Sequence, residues 1–393
     1  MIRNEGYLLS GIFLTSAGTA THLLVLGKYL FDLTGSAKAF GGAVAFEQLV
    51  SIFAAFLAGP LVDRAISSKF FLVSESIRGI IVTLCSVVLF KSSNLMAVYI
   101  MIFAIQIGKP FYKSGLFVVE TEIFSKEQLP KYNGRSVTSM QLGSFLGIWI
   151  GGLLIIQDIP VVGFTLNGIS FLSSGICLAL ATRKSSLNRP SEPMTSFVSD
   201  WKVMIRMIQG QKSIVSASLL GSIDYALPNL FNILLAPLVF FKLSNDSLWL
   251  SLLDSSFALG AAIGGLILGR FVNQFGLRKA ALWGFTLQAL SFLLLFLDKP
   301  KFVFPMAIFF FGFGNSLSWS GWQGWLQTNI SKPHRAKFSI FRQMITTSIT
   351  AIFALLIGYL LEISFTMALI LVIGKLTIGI LFSELFFKKV KTK

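Results

Sequence analysis

Gly59-Pro60-Leu61-Val62-Asp63-Arg64, with Lys69 five residues on, decides the fold, because the chain carries this stretch twice. Shifted by 210 positions stands Gly269-Arg270-Phe271-Val272-Asn273-Gln274, followed by Gly276, Arg278 and Lys279. Each copy closes a long apolar run, and the ungapped match extends upstream to set Leu33-Thr34 on Leu243-Ser244. A chain that repeats itself over half its length is built from two similar halves. In a membrane protein, paired repeats point to a transporter whose halves rock about a central site.

The membrane itself follows from composition. Apolar residues make up 54% of the chain and charged residues 13%, and the mean hydropathy is +0.76. Apolar runs of about 20 residues suffice to cross roughly 30 Å of hydrocarbon. Twelve are expected, at about 8–31, 40–60, 70–90, 95–118, 135–157, 161–182, 213–241, 247–268, 280–297, 303–326, 338–361 and 364–387. Barrel strands would alternate in short segments, which these runs do not. The expected fold is therefore all-α and integral to the membrane: twelve transmembrane helices in two pseudo-symmetric bundles of six.

A net charge of +16 would suit a nucleic-acid partner in a soluble protein, but here its position accounts for it. With both termini inside, 22 of the 33 Lys and Arg fall in inner segments and six outside: Lys28, Lys38, Lys91, Lys242, Lys299 and Lys301. This asymmetry orients the chain in the cell inner (plasma) membrane with both ends cytoplasmic. The tail Lys388-Lys389-Val390-Lys391-Thr392-Lys393 becomes an anchor to anionic lipid. No nucleic-acid partner is expected. Cys85 and Cys177 lie in spans and imply no disulfide framework. The first apolar run is too long for a signal-peptide core, so the first helix is expected to be kept.

Loops on the outer side are short, such as Asp158-Ile159-Pro160, and leave no room for a soluble catalytic domain. The one substantial break contains Pro190 and Pro193 and divides the chain. The expected organisation is an N-terminal bundle over 1–182, a cytoplasmic linker over 183–212 and a C-terminal bundle over 213–393. Within the linker, Phe197, Val198, Trp201, Met204, Ile205 and Ile208 recur at helical spacing. That pattern reads as an amphipathic helix on the inner membrane surface.

The paired motif resembles the signature of the major facilitator superfamily, Gly-x-x-x-Asp-Arg-x-Gly-Arg-Arg between spans 2 and 3. Gly59, Asp63 and Arg64 match the first copy, while Ile66, Ser67 and Ser68 depart from its basic end. In the second copy Gly269, Gly276, Arg278 and Lys279 match, and Asn273 and Gln274 replace the charged pair. Leu33-Thr34-Gly35-Ser36-Ala37, Ser125-Lys126-Glu127-Gln128-Leu129-Pro130 and Asn133-Gly134 resemble the drug-exporter branch that includes macrolide exporters and the enterobactin (siderophore) exporter. The resemblance implies the major facilitator fold and gating by the motif, with Asp63 and Arg64 latching the halves in the outward-facing state. The plainer alternative is that Asp63-Arg64 is a polar loop.

Ionisable groups at membrane depth are functional candidates by default. Asp224 and His22 lie nearest the middle of spans 7 and 1, which are repeat-equivalent and which the resemblance places on the cavity. Both residue types can carry protons there. Glu47 and Asp254 lie about two turns in from the outer side and serve either proton coupling or a hydrated vestibule. Glu75 and Arg78, three apart on span 3, share a face and read as a neutralising pair. Lys109, beside Pro110, suits an anionic substrate or a partner such as Glu120 or Asp63; Arg342-Gln343 suits an interfacial anchor or a gate.

Substrate contacts are expected from Asn229 and Asn232, and from Trp319, Trp322 and Gln323 on span 10. Aromatics mixed with small polar groups suit planar organic solutes, and an interfacial aromatic belt explains the lower Trp residues equally well.

No phosphate-binding loop of the Gly-x-x-x-x-Gly-Lys-Ser/Thr type occurs, and two His with no acidic cluster supply no metal or catalytic centre. The expectation is a secondary transporter, not an enzyme: an efflux antiporter without cofactor or metal, driven by the proton gradient. Its cargo would be a small organic molecule, as in multidrug resistance or siderophore export, with lipid as its surroundings and a monomer as its working unit. The alternatives are a nutrient importer or a lysolipid flippase of the same fold.

Overall fold

The computed structural model describes residues 2–34, 37–67, 70–183, 197–243, 248–296, 300–331 and 335–391. Among them no strand occurs. The helices are α1 (Ile2–Thr34), α2 (Ala37–Ser67), α3 (Phe70–Lys91), α4 (Leu95–Ile123), α5 (Leu129–Ile156) and α6 (Pro160–Thr182). They continue with α7 (Phe197–Gln209), α8 (Lys212–Lys242), α9 (Leu248–Phe296), α10 (Val303–Asn329), α11 (Arg335–Ile363) and α12 (Phe365–Lys391). In lipid a helix satisfies its own backbone, which is why apolar runs of this length take no other form.

Nine helices among the described residues are long and apolar enough to cross a membrane. One of them, α9, is two arms joined at Gly276, whose φ of 81° and ψ of 163° break the helical path. α2 has a shorter apolar stretch, Phe46–Gly59. α10 is diluted by Asn315, Ser316, Ser318, Ser320 and Gln323. With the two arms of α9 counted separately and α2 and α10 added, the described residues hold twelve long helical segments where twelve apolar runs were expected. Most helices overrun their apolar runs at the basic ends, and α2 carries the backbone of Asp63 and Arg64 rather than leaving it in a loop.

The chain forms two compact units. The first comprises Met1–Phe124, Ser139–Ile205 and Ser331–Met344; the second comprises Ser125–Thr138, Arg206–Ile330 and Ile345–Lys393. Each unit therefore takes in the basic end of one helix, α11 or α5, from the other half of the sequence. In the first unit α1 packs on α6 and α2, α3 on α6 and α4, and α2 on α4. In the second α8 packs on α12 and α10, and α9 on both. The 210-residue offset that relates the motifs also carries α3 onto the second arm of α9, and the neighbour patterns correspond except that α8 packs on α10 more closely than α1 does on α4.

Val25, Tyr29, Val98, Met101, Phe164 and Phe171 fill the core of the first unit. In the second, Phe231, Phe257, Phe292 and Phe311 cluster with centroids between 5.0 and 6.4 Å. Such ring pairs contribute about 0.5–1.5 kcal/mol each beyond area burial. That matters because lipid tails are as apolar as these cores, so close packing rather than escape from water selects the inward faces. Leu49, Phe53, Leu84, Trp149, Leu266 and Leu355 stay exposed, as lipid-facing side chains do. α7 falls where the amphipathic pattern placed a helix, and its Trp201 stacks on Phe56 of α2 at 5.0 Å.

Candidate functional site

Asp224 of α8 has 0% of its surface exposed. Its Oδ1 accepts from Gln288 Nε2 at 2.8 Å and from Asn315 Nδ2 at 3.3 Å, and its Oδ2 accepts from Ser318 Oγ at 2.7 Å. Gln288 also donates to Ser318 Oγ at 2.9 Å. Pro228, four residues on in the same helix, has no N–H for the Asp224 carbonyl. Asn315 Nδ2 lies 3.4 Å from that freed oxygen. One acid thus gathers α8, the second arm of α9, and α10. All its donors are neutral, and a serine hydroxyl can turn from donor to acceptor. The site can hold a carboxylate or a carboxylic acid without rearranging its helices.

Lys375 of α12 is the charged neighbour. It is 4% exposed, its Nζ has no hydrogen-bond partner among the described residues, and the Nζ lies 4.5 Å from the Phe353 ring centroid. Its charge acts on Asp224. The sequence reading assigns Lys375 no role. The signal was available, since a lone cation in the apolar run 364–387 demands a partner.

In the first unit, Gln106 Nε2 donates to Glu47 Oε1 at 2.7 Å, and Lys109 Nζ donates to Gln106 Oε1 at 3.2 Å. Glu47 of α2 and Lys109 of α4 are thereby brought together through one amide. Pro110 stands four residues after Gln106, as Pro228 stands after Asp224. His22 is buried edge-on against Phe164 at 5.0 Å, and its Nδ1 finds no partner among the described residues. Asp254 is half-buried on the first arm of α9, where the Ser256 hydroxyl donates to the Leu252 carbonyl of its own helix.

Glu75 and Arg78 are buried and paired on α3 as their spacing predicts, with Arg78 4.0 Å from the Phe171 ring centroid. The repeat offset sets Arg78 on Gln288 and Gly108 on Ser318. A Cβ on Gly108 would lie 2.4 Å from Arg78 Cδ, so the arginine fills the space that a side chain occupies in the other unit. Corresponding places therefore hold an ion pair in one unit and an acid with neutral donors in the other.

The exchanged helix ends are joined by polar contacts. In the second unit Asn133 Nδ2 donates to Gln327 at 2.8 Å and Thr138 Oγ1 to the Ala262 carbonyl at 2.9 Å. In the first, Arg335 donates to the Thr121 carbonyl at 3.3 Å and stands 3.7 Å from Glu122, while Gln343 donates to Ser114 at 3.3 Å. Gly59 is buried beside Ala58, which packs on Ala336 and Ile340 of α11. A Cβ on Gly269 would lie 3.0 Å from Lys131 Cβ of α5. The motif glycines thus mark crossings of α2 with α11 and of α9 with α5. Arg278 pairs with Glu384 at 2.7 Å, and Lys279 lies 5.3 Å over Phe275. The Asp63 and Arg64 side chains lie outside the described residues.

Of the expected substrate contacts, Trp319 is half-buried and 6.1 Å from Tyr225, next to the Asp224–Ser318 bond. Asn229 and Asn232 are exposed and take no part in that network. Gln323 is buried. Trp322 departs from the expectation of a cavity lining: it is 1% exposed, stacked on Phe387 at 5.2 Å and edge-on to Phe386 at 5.6 Å. Its large ring is core material between α10 and α12.

No curated protein matches this sequence. Solved structures of the same fold include a bacterial homologue of the iron transporter ferroportin in the outward-facing state, 16% identical with a TM-score of 0.79. That similarity covers 98% of this chain and 99% of the other. The human organic anion transporter MFSD10 (TETRAN) is 14% identical, TM-score 0.70, over 97% and 99% of the two chains. The E. coli fucose:proton symporter FucP is 12% identical, TM-score 0.66, over 97% and 98%. The sequence profile of the Major Facilitator Superfamily matches residues 8–244 and 214–393. With that match over both halves, the chain belongs to the Major Facilitator Superfamily and is a multi-pass membrane transporter, not an enzyme.

Proposed function

We propose that this protein is a proton-coupled secondary transporter of a small organic molecule, working by alternating access with Asp224 as the proton carrier. The observation that carries this reading is the Asp224 network: a fully buried acid met only by the neutral donors Gln288, Asn315 and Ser318. Such a site supports both protonation states. His22, Glu47 and Asp254 are secondary carriers in this reading. The proton gradient replaces any cofactor, a monomer suffices, and the chain sits in the inner membrane with both termini cytoplasmic.

The exporter resemblance favours efflux, with a drug-like compound or a secreted metabolite such as a siderophore as cargo. The motif residues Gly59, Asp63, Arg64, Gly269, Arg278 and Lys279 then latch one state and release the other. Substrate contacts fall to Trp319, Asn229, Asn232, Gln323 and Lys109. A second reading, proton-linked uptake, is favoured by the fold shared with a fucose:proton symporter.

Reconstitution into liposomes with an internal pH-sensitive dye tests the coupling. Cargo flux in wild type should move protons, and Asp224→Asn should abolish the proton movement while leaving the protein folded. Unchanged proton movement in that variant refutes the assignment. Comparing metabolites secreted by cells with and without the gene, in high and low iron, supplies the cargo for the assay.

A further inference from the structure

Lys375 is a buried ammonium without an acceptor. Its three N–H donors make no hydrogen bond among the described residues, and the Phe353 ring, 4.5 Å away, is its one aromatic contact. Burying a cation in this way is costly unless an anion meets it. α12 packs directly on α8, the helix of Asp224, and among the described residues Asp224 is the charged group whose field reaches Lys375. The other groups gathered there are neutral: Gln288 on the second arm of α9, Asn315 and Ser318 on α10, and Phe353 on α11. The Asp224 oxygens are already engaged by three donors, so Lys375 has a charged neighbour without a hydrogen-bonded partner.

We propose that Lys375 is the binding group for an anionic cargo, a small organic carboxylate or comparable anion, and that this anion binds together with a proton on Asp224. This rests on the reading of Asp224 as a proton carrier. The coupling follows from charge. With Asp224 ionised, lysine and aspartate neutralise each other and an incoming anion is repelled by the carboxylate. With a proton on Asp224, the ammonium is left alone to meet the anion. By linkage, each ligand then favours the other. A proton and an anion that bind together cross together, so for an anionic cargo the site supports co-directional movement and thus the uptake reading rather than efflux. The half-buried pair Tyr225 and Trp319 beside the Asp224–Ser318 bond offers an apolar surface for the body of such a molecule.

The test uses two probes of like size and opposite charge, radiolabelled benzoate and radiolabelled benzylamine, in equilibrium binding to the detergent-solubilised full chain. Wild type and Lys375→Arg should hold benzoate in preference to benzylamine, and more tightly as pH falls. Lys375→Met should lose at least tenfold in benzoate affinity. Should that variant fail to fold, the double variant Asp224→Asn/Lys375→Met removes both charges and should fold but not hold benzoate. Benzoate held equally with and without the Lys375 charge, benzylamine preferred by wild type, or neither probe retained overturns the proposal. Asp224→Asn in the Lys375→Arg background separates the two readings, because arginine keeps its charge and benzoate should then bind without pH dependence. Persisting pH dependence there refutes Asp224 as the proton carrier while leaving the Lys375 anion site standing.

Discussion

Asn133 at the start of α5 donates to Gln327 near the end of α10 at 2.8 Å, joining residues 194 positions apart. At the next residue of α5, a Cβ on Gly134 would lie 2.0 Å from the Gly265 carbonyl oxygen of α9, and one on Gly265 would lie 2.4 Å from the Gly134 carbonyl. The start of α5 is thus seated backbone to backbone on α9, and only glycine permits that approach.

Gly134→Ala should therefore lift this end of α5 from α9. Overpacking of this kind costs about 1–3 kcal/mol. A cysteine placed at Thr138 should react several-fold faster with a membrane-impermeant maleimide in the Gly134→Ala background than in the parent. Equal labelling rates would show that the crossing tolerates a methyl group.

At Asp224, alanine and asparagine should differ. Asparagine keeps its amide oxygen as acceptor for Gln288 and Asn315 and offers its NH2 to Ser318, whose hydroxyl turns to accept, whereas alanine takes the shared acceptor from all three donors. Each orphaned group costs roughly 1–3 kcal/mol. Thermal unfolding followed by tryptophan fluorescence should place Asp224→Ala well below Asp224→Asn. Coincident curves would mean that water or another group replaces the carboxylate.

Glu75 and Arg78 form a buried pair, so removing one partner strands the other charge. Glu75→Gln and Arg78→Met should each destabilise by roughly 3–5 kcal/mol, with the double variant recovering much of that. A double-mutant cycle on unfolding temperature measures the coupling. Additive losses would remove the ion-pair account.

Gly276 joins the arms of α9 at φ 81°, ψ 163°, and a Cβ there would meet nothing within 4 Å. The cost of Gly276→Ala is then one of backbone conformation alone, of order 1–3 kcal/mol. The lowered unfolding temperature should appear without any added clash. An unchanged temperature would show that the arms can rejoin by another path.

Much of this was legible beforehand. The apolar runs foretell the membrane helices, the second motif copy falls on the break at Gly276, and the 3.6-residue spacing foretells α7. Asp224 stood out because a carboxylate within an apolar run is rare. Its partners did not stand out: Gln288, Asn315 and Ser318 are neutral, lie up to 94 positions away and follow no period that ties them to Asp224. Trp322 and Trp319 share a helix and a spacing, yet one is core and the other half-exposed. Lys375 was visible only as one charge among the 33 Lys and Arg residues.

The sequence by itself determined that this chain crosses the membrane repeatedly, that it repeats as two halves, and where its membrane-depth charges lie. These are properties of single residues and local runs, because transfer into hydrocarbon is a per-residue free energy. Tertiary structure alone decided which polar residues meet. It gathered Asp224 with Gln288, Asn315 and Ser318, bridged Glu47 to Lys109, and left Lys375 unbonded. It also exchanged the starts of α5 and α11 between units. In lipid the helices gain nothing by burying apolar faces from water, so the contacts follow from packing of small residues and from pairing of polar ones. Those depend on which helices touch, and hydropathy carries no record of that.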